Sequence, residues 1–176
     1  MAPSEIIHFL TDKHYPALIQ LAEQLNIHLP ASVKVNTSAH LPLDEIEKEY
    51  RKLVSLVKGQ IKKHTRILFP FLDNVLEDGK VPSEVLSDLE IEISEIHTRH
   101  MQMRTHLAML SSLSNNYTPG PNSSESMKVA FAELHSLELQ LYRLFYIEDV
   151  LLLPKISKLT FCRESIPGMR RIPRSV

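Results

Sequence analysis

Apolar residues recur along this chain at alternating intervals of three and four, the spacing by which a helix keeps one stripe against a core. Four segments carry the pattern. In the first, from about Ser4 to Asn26, the stripe is Ile7, Leu10, His14, Ala17 and Leu21. In the second, from about Asp44 to Glu77, it is Ile46, Tyr50, Leu53, Val57, Gln60, His64, Ile67 and Phe71. In the third, opened by Pro82 and Ser83 and running to about Ser114, it is Leu86, Leu89, Ile93, Ile96, His100, Met103, Leu107 and Leu110. In the fourth, ending near Ile156, it is Met127, Ala130, Leu134, Leu137, Leu141, Leu144, Glu148 and Leu151. No segment alternates with the period of two that a half-buried strand needs. The pattern predicts an all-α fold, an antiparallel up-down-up-down four-helix bundle.

Punctuation between the stripes agrees. Pro30 to His40 reads as a polar connection, and Asp44 with Glu47 three residues on has the spacing of a capping box. Asp78-Gly79 ends the second helix, and NNYTPGPNSS is a turn-rich loop before the fourth. Pro16, Pro70 and Pro154 fall within or at the ends of helical stretches and predict bends there. The bundle is expected over residues 1–160. An irregular basic tail, with Arg163, Arg170, Arg171 and Arg174, is expected over 161–176 and reads as a solvated end.

Composition narrows the picture. A chain of 176 residues with 43% hydrophobic side chains suits one domain with a sizeable core. Twenty basic and 21 acidic side chains give a net charge of −1, which offers no reason to expect a nucleic-acid partner. No stretch approaches the roughly 20 apolar residues of a membrane helix, and the first residues lack the apolar run of a signal peptide. The single cysteine, Cys162, excludes an internal disulfide and points to a reducing, cytoplasmic compartment. There is no Cys-x-x-Cys, no phosphate-cradling glycine loop and no nucleophile motif, so enzymatic chemistry beyond that of a metal has little support.

The candidate chemistry lies in the interruptions of the stripes. His14, Gln60 with His64, His100 and Glu148 are polar where apolar residues are expected, and each helix supplies at least one. A buried carboxylate costs several kcal/mol unless it is paired, so Glu148 needs a partner. His64 lies 16 residues before the turn near residue 80 and His100 lies 20 after it. At about 1.5 Å per residue their heights differ by only about 6 Å. A metal is the economical reason to gather imidazoles and a carboxylate in an apolar bundle, and these donors suit iron, manganese or zinc. On the first helix His14 competes with His8, which lies off the stripe. His28, on the stripe of His14, lies about 21 Å along the helix from it. His28, His40, His97, His106 and His135 read as surface or capping residues. Tyr50 and Tyr146 are candidates for donors behind the ligands, with core packing the alternative. Met101, Met103 and Met109 read as gap-fillers.

Several stretches together resemble the hemerythrin-like proteins, and among them the cytoplasmic di-iron family linked to repair of iron centres. QIKKHTRILFP in the second helix and LFYIEDVLLLP in the fourth resemble that family's repeated helix ends. HMQMRTHLAMLSSLSNNYTPG resembles its third helix and following loop, IIHFLTDKHYPAL its first helix, and His40-Leu41-Pro42 the segment before the second. The resemblance covers about residues 5 to 157. It implies that His14 and His100 occupy positions of ligand histidines and Glu148 that of a bridging glutamate. Gln60 and Leu144 stand where ligand histidines are expected, and His64 where the second bridging glutamate is. The reduced set, His14, His64, His100 and Glu148, suits one ion better than two. The functions implied are iron-centre repair, a nitrosative or oxidative stress response, or O2 or NO sensing. The metal would be iron, as one or two ions, with zinc or manganese as substitutes, and the partners O2, NO or an iron–sulfur protein. The alternative is an interaction or regulatory bundle that has lost its metal.

Overall fold

A computed structural model of the chain describes residues 1–35, 42–78 and 83–161, with side chains for 1–32, 42–76 and 87–158. His40, Leu41, Gly79, Pro82, Cys162, the four tail arginines and the side chain of Leu86 lie outside the described residues. The described residues are almost all helical, without a strand. Four long helices pack as a helical bundle. The first is α1 (Pro3–Phe9), a π turn (Leu10–His14) and α2 (Tyr15–Val35). The second is α3 (Leu43–Lys63), a π turn (His64–Leu68) and α4 (Phe69–Asp78). The third is α5 (Ser83–Leu113) alone. The fourth is α6 (Glu125–Tyr146), a π turn (Ile147–Leu152) and α7 (Leu153–Phe161). None of these helices is long and apolar enough to cross a membrane.

The first helix runs on to Val35, carrying Pro30 within it, so the connection expected from Pro30 begins as helix. The fourth extends past Ile156 to Phe161. The second begins at Leu43, with Pro42 as a cap that offers no side-chain hydrogen bond. The Pro42 carbonyl accepts from the amides of Glu45 and Ile46. Asp44 and Glu45 therefore sit in the first turn, where their charge suits the helix dipole. Glu47 pairs with Arg51 one turn on, so the capping box does not form. Before α6, Asn115, Asn116 and Tyr117 all take positive φ. That conformation is costly for tyrosine. It is held by the buried Tyr117 amide donating to Ser114 Oγ at 2.9 Å and by the Tyr117 ring stacking on His135. Ser124 caps α6 by accepting from the Met127 amide.

Three prolines shape the bundle. A proline inside a helix has no N–H to give, and its ring crowds the carbonyl four residues back. Here the residue before each proline donates to the carbonyl five residues back: Tyr15 to Leu10, Phe69 to His64, and Leu153 to Glu148. Pro16, Pro70 and Pro154 are thus each absorbed by one π turn. A π turn holds an extra residue, so everything beyond it slips one position around the helix. The stripe passes from Ala17, exposed, to Leu18, buried. It passes from Ile67, 64% exposed, to Leu68, 5% exposed. It passes from Leu151, half-buried, to Leu152, buried. The third helix has no internal proline and keeps its stripe: Leu89, Ile96, His100, Met103, Leu107 and Leu110 are buried. Met101 and Met109 are exposed, and of that trio only Met103 fills the core.

Packing follows from these faces. α2 lies chiefly against α6 and α3 against α5, with α2 also touching α3. The Tyr50 hydroxyl ties the second helix to the first, donating to the Ala22 carbonyl at 2.7 Å. The slip yields a test. Leu68→Ala is expected to cost about 2–5 kcal/mol of stability, and Ile67→Ala within about 0.5 kcal/mol, as measured by urea unfolding. Equal costs, or the reverse order, contradict the slip.

Candidate functional site

Each π turn brings two neighbouring residues inward together. His14 with Tyr15, Leu68 with Phe69, Ile147 with Glu148, and Leu152 with Leu153 are adjacent buried pairs at or beside these turns. Adjacent buried pairs also occur in the unbroken helices, as at Leu53 with Val54 and Ala130 with Phe131, but at the first π turn the pair includes Tyr15, which joins the polar cluster. His64 lies in the second π turn and Glu148 in the third, each about 1% exposed. Gln60, one turn before His64 on the second helix, and His100 on the third are also buried.

Glu148 is the centre. Its Oε1 accepts from the Tyr15 hydroxyl at 2.7 Å and lies 3.3 Å from His64 Nδ1. Its Oε2 accepts from Gln60 Nε2 at 2.7 Å and lies 2.9 Å from His100 Nε2. Burial pushes the Glu148 carboxyl up, but the imidazoles of His64 and His100 more than offset it and hold the group well below the usual carboxylate range. Burial, with the Glu148 charge beside it, pushes the Tyr15 hydroxyl well above its ordinary value and keeps it a donor.

The partners fix one another. The Tyr15 proton goes to Glu148, so the Tyr15 oxygen accepts from His64 Nδ1 at 2.8 Å. In the neutral ring this places the proton on Nδ1 and a lone pair on Nε2. Among the described residues, His64 Nε2 is a fully buried side-chain nitrogen without a hydrogen-bond partner. His100 Nδ1 is 2.7 Å from Asp149 Oδ1, which orients the ring and directs Nε2 to Glu148 and Gln60. Gln60 Nε2 lies 3.0 Å from His100 Nε2, and Gln60 Oε1 receives Arg99 Nε at 3.4 Å. Arg99 also holds Glu92 at 2.8 Å and Glu95 at 3.3 Å.

Of the four expected ligands, His64, His100 and Glu148 meet. His14 is buried while His8 is exposed, but His14 shares no hydrogen bond with the other three. Its Nε2 lies 3.2 Å from the Gln140 carbonyl, and its ring stacks on Phe9. Burial pushes the His14 pKa down, against the carbonyl that favours the protonated ring. Leu144 is buried in the core. Among the described residues, no three His, Cys, Asp or Glu side chains are placed to hold a metal ion. Both Glu148 oxygens are already met, Oε1 by the Tyr15 hydroxyl and Oε2 by the Gln60 amide, while the one unpartnered lone pair is that of His64 Nε2. The donor set as it stands therefore does not fit a cation.

The other candidates fall elsewhere. Tyr50 spans the first two helices, and Tyr146 is exposed. His28 pairs with Glu133 at 2.8 Å, and His106 with the buried Glu49 at 2.7 Å. His97 reaches Asp149 from the surface at 3.3 Å. Tyr15 and Asp149 are site residues that the stripe pattern misses. Each is the immediate neighbour of a residue already on the stripe, and the proline that follows the first helix's His-Tyr pair is the signal for the slip that brings Tyr15 in. No family model matches the chain.

The depressed Glu148 carboxyl gives a pH prediction. A group whose pKa is lower folded than unfolded stabilises the fold above its unfolded value, near 4.3 for glutamate, and that stability is lost as pH falls below it. Unfolding free energy is expected to fall with acid below about pH 4.3, by up to about 1.4 kcal/mol per pH unit from this group alone. In Glu148→Gln that part of the slope disappears. An unchanged slope in urea titrations from pH 2 to 5 contradicts the assignment.

Proposed function

We propose that this chain is a hemerythrin-like bundle of up-down-up-down helices in which a closed hydrogen-bond layer takes the place of a cation centre, and that it works as an interaction or regulatory module. The observation that carries this reading is the Gln60 carboxamide nitrogen, 2.7 Å from Glu148 Oε2 and 3.0 Å from His100 Nε2. An amide N–H2 is a donor only, and here it meets the inward lone pair of Glu148 Oε2 and fills the corner beside His100 that a metal would need. Leu144, buried where the resemblance expects a ligand histidine, supports the same conclusion. An interaction role fits the fourth helix, where Leu139, Tyr142, Tyr146 and Val150 are exposed at intervals of three and four along one face. A cytoplasmic setting fits the lone thiol, Cys162.

A second reading rests on one atom. His64 Nε2 is buried without a partner and carries a lone pair in the neutral ring, as a metal ligand does. On that reading one iron, zinc or manganese ion joins His64, His100 and Glu148, with His14 released from Gln140. The protein would then serve iron-centre repair, stress response or O2 or NO sensing. It requires Gln60 and Tyr15 to give up Glu148, which is why it ranks second.

Metal quantification by mass spectrometry separates the two. Protein purified gently from ordinary medium is expected to carry less than about 0.1 ion per chain, and added ferrous iron or zinc should leave its melting temperature unchanged, since only a ligand that binds the native state raises it. About one ion per chain, lost in His100→Ala, would establish the second reading instead.

A further inference from the structure

The polar layer contains imidazoles and a carboxylate, yet one neutral side chain decides what it accepts. We propose that Gln60 is the residue that excludes cations from this layer, and that its carboxamide is kept nitrogen-inward from behind by Arg99. The inference rests on the metal-free reading above and says which group enforces it.

Gln60 Nε2, His100 Nε2 and Glu148 Oε2 form a triangle with edges of 2.7, 2.9 and 3.0 Å. Ligand atoms sit about 2.0–2.2 Å from a zinc ion. An ion bound to the nitrogen of His100 and the oxygen of Glu148 would therefore press on the amide. The amide nitrogen has its lone pair drawn into the carbonyl, so it offers a cation two positively polarised hydrogens and no ligand.

Turning the carboxamide over would present Oε1, an acceptable ligand. Two features oppose that. Oε1 would then face Glu148 Oε2, acceptor against acceptor, across the gap that the N–H now bridges. It would also leave Arg99 Nε, 3.4 Å away on the outer side. Arg99 is held in place by Glu92 and Glu95, which Lys63 also pairs with. This surface network on the second and third helices thus sets the orientation of a buried amide.

Gln60→Glu is the direct test, because it keeps the size of the side chain and turns two donors into two acceptors. The carboxylate would then stand beside Glu148 and His100, a nitrogen and oxygen set that zinc accepts. The probe is zinc alone, added to full-length protein, desalted and counted per chain, with circular dichroism to confirm folding. Wild type is expected to retain less than about a tenth of an ion and Gln60→Glu about one, lost again in Gln60→Glu with His100→Ala. Zinc-dependent folding of Gln60→Glu supports the proposal equally. If wild type itself retains about one zinc, the metal-free reading falls and this inference with it. If wild type retains none and folded Gln60→Glu also retains none, the role of Gln60 is overturned while the metal-free reading stands. Should Gln60→Glu fail to fold with or without zinc, Gln60→His decides by the same count: about one ion supports the proposal, and none overturns it.

Discussion

An ionised carboxylate in the middle of an apolar bundle is the constraint around which this structure is arranged. Left unpaired, Glu148 would cost several kcal/mol. Both of its oxygens are met, Oε1 by Tyr15 and Oε2 by Gln60, with His64 and His100 close by. These partners come from three different helices, and Glu148 itself comes from the fourth. The layer therefore links every long helix to one anion. A helix shifted lengthwise by a turn, about 5.4 Å, would strip a partner from Glu148, whereas the leucines above and below would tolerate a neighbouring leucine. Polar layers of this kind set register at some cost in stability.

The prolines complete the layer. The stripe alone places the amide, the two imidazoles and the carboxylate inward, and the slip at the first π turn adds the Tyr15 hydroxyl. The π turns at His14, His64 and Glu148 widen the helix where these residues sit. The first brings Tyr15 inward beside His14, and the third brings Ile147 inward beside Glu148. Backbone irregularity forced by proline thus coincides with the side-chain chemistry in three of the four helices, and the straight third helix supplies His100 on an unbroken stripe.

Much of this was legible in the amino-acid sequence. The period of three and four located the helices, and its polar interruptions named His14, Gln60, His64, His100 and Glu148, all of which are buried. At or just past each π turn the same rule failed by one residue, selecting Ile67 over Leu68 and Ala17 over Leu18. A constant repeat has no means of representing an extra residue in a turn. For the same reason it passed over Tyr15. Asp149 escaped because it acts from the rim, reaching back to His100 Nδ1 rather than pointing along the stripe. The donor assignments were beyond a pattern altogether. That His14 meets a backbone carbonyl while Gln60 fills the corner between His100 and Glu148 depends on side-chain geometry that spacing does not encode.

The inward carboxylate of this layer is answered by an amide and a phenol, and Leu139, Tyr142, Tyr146 and Val150 of the fourth helix are exposed outside it. The most direct test of this account is the NMR spectrum of the Gln60 side-chain amide and the His64 and His100 rings in the protein as purified. Both Gln60 amide protons should exchange slowly with solvent, and all three residues should keep their chemical shifts when a strong chelator is added. Ring signals of His64 and His100 that move on chelation, with fast exchange at Gln60, would show an ion at the centre and contradict it.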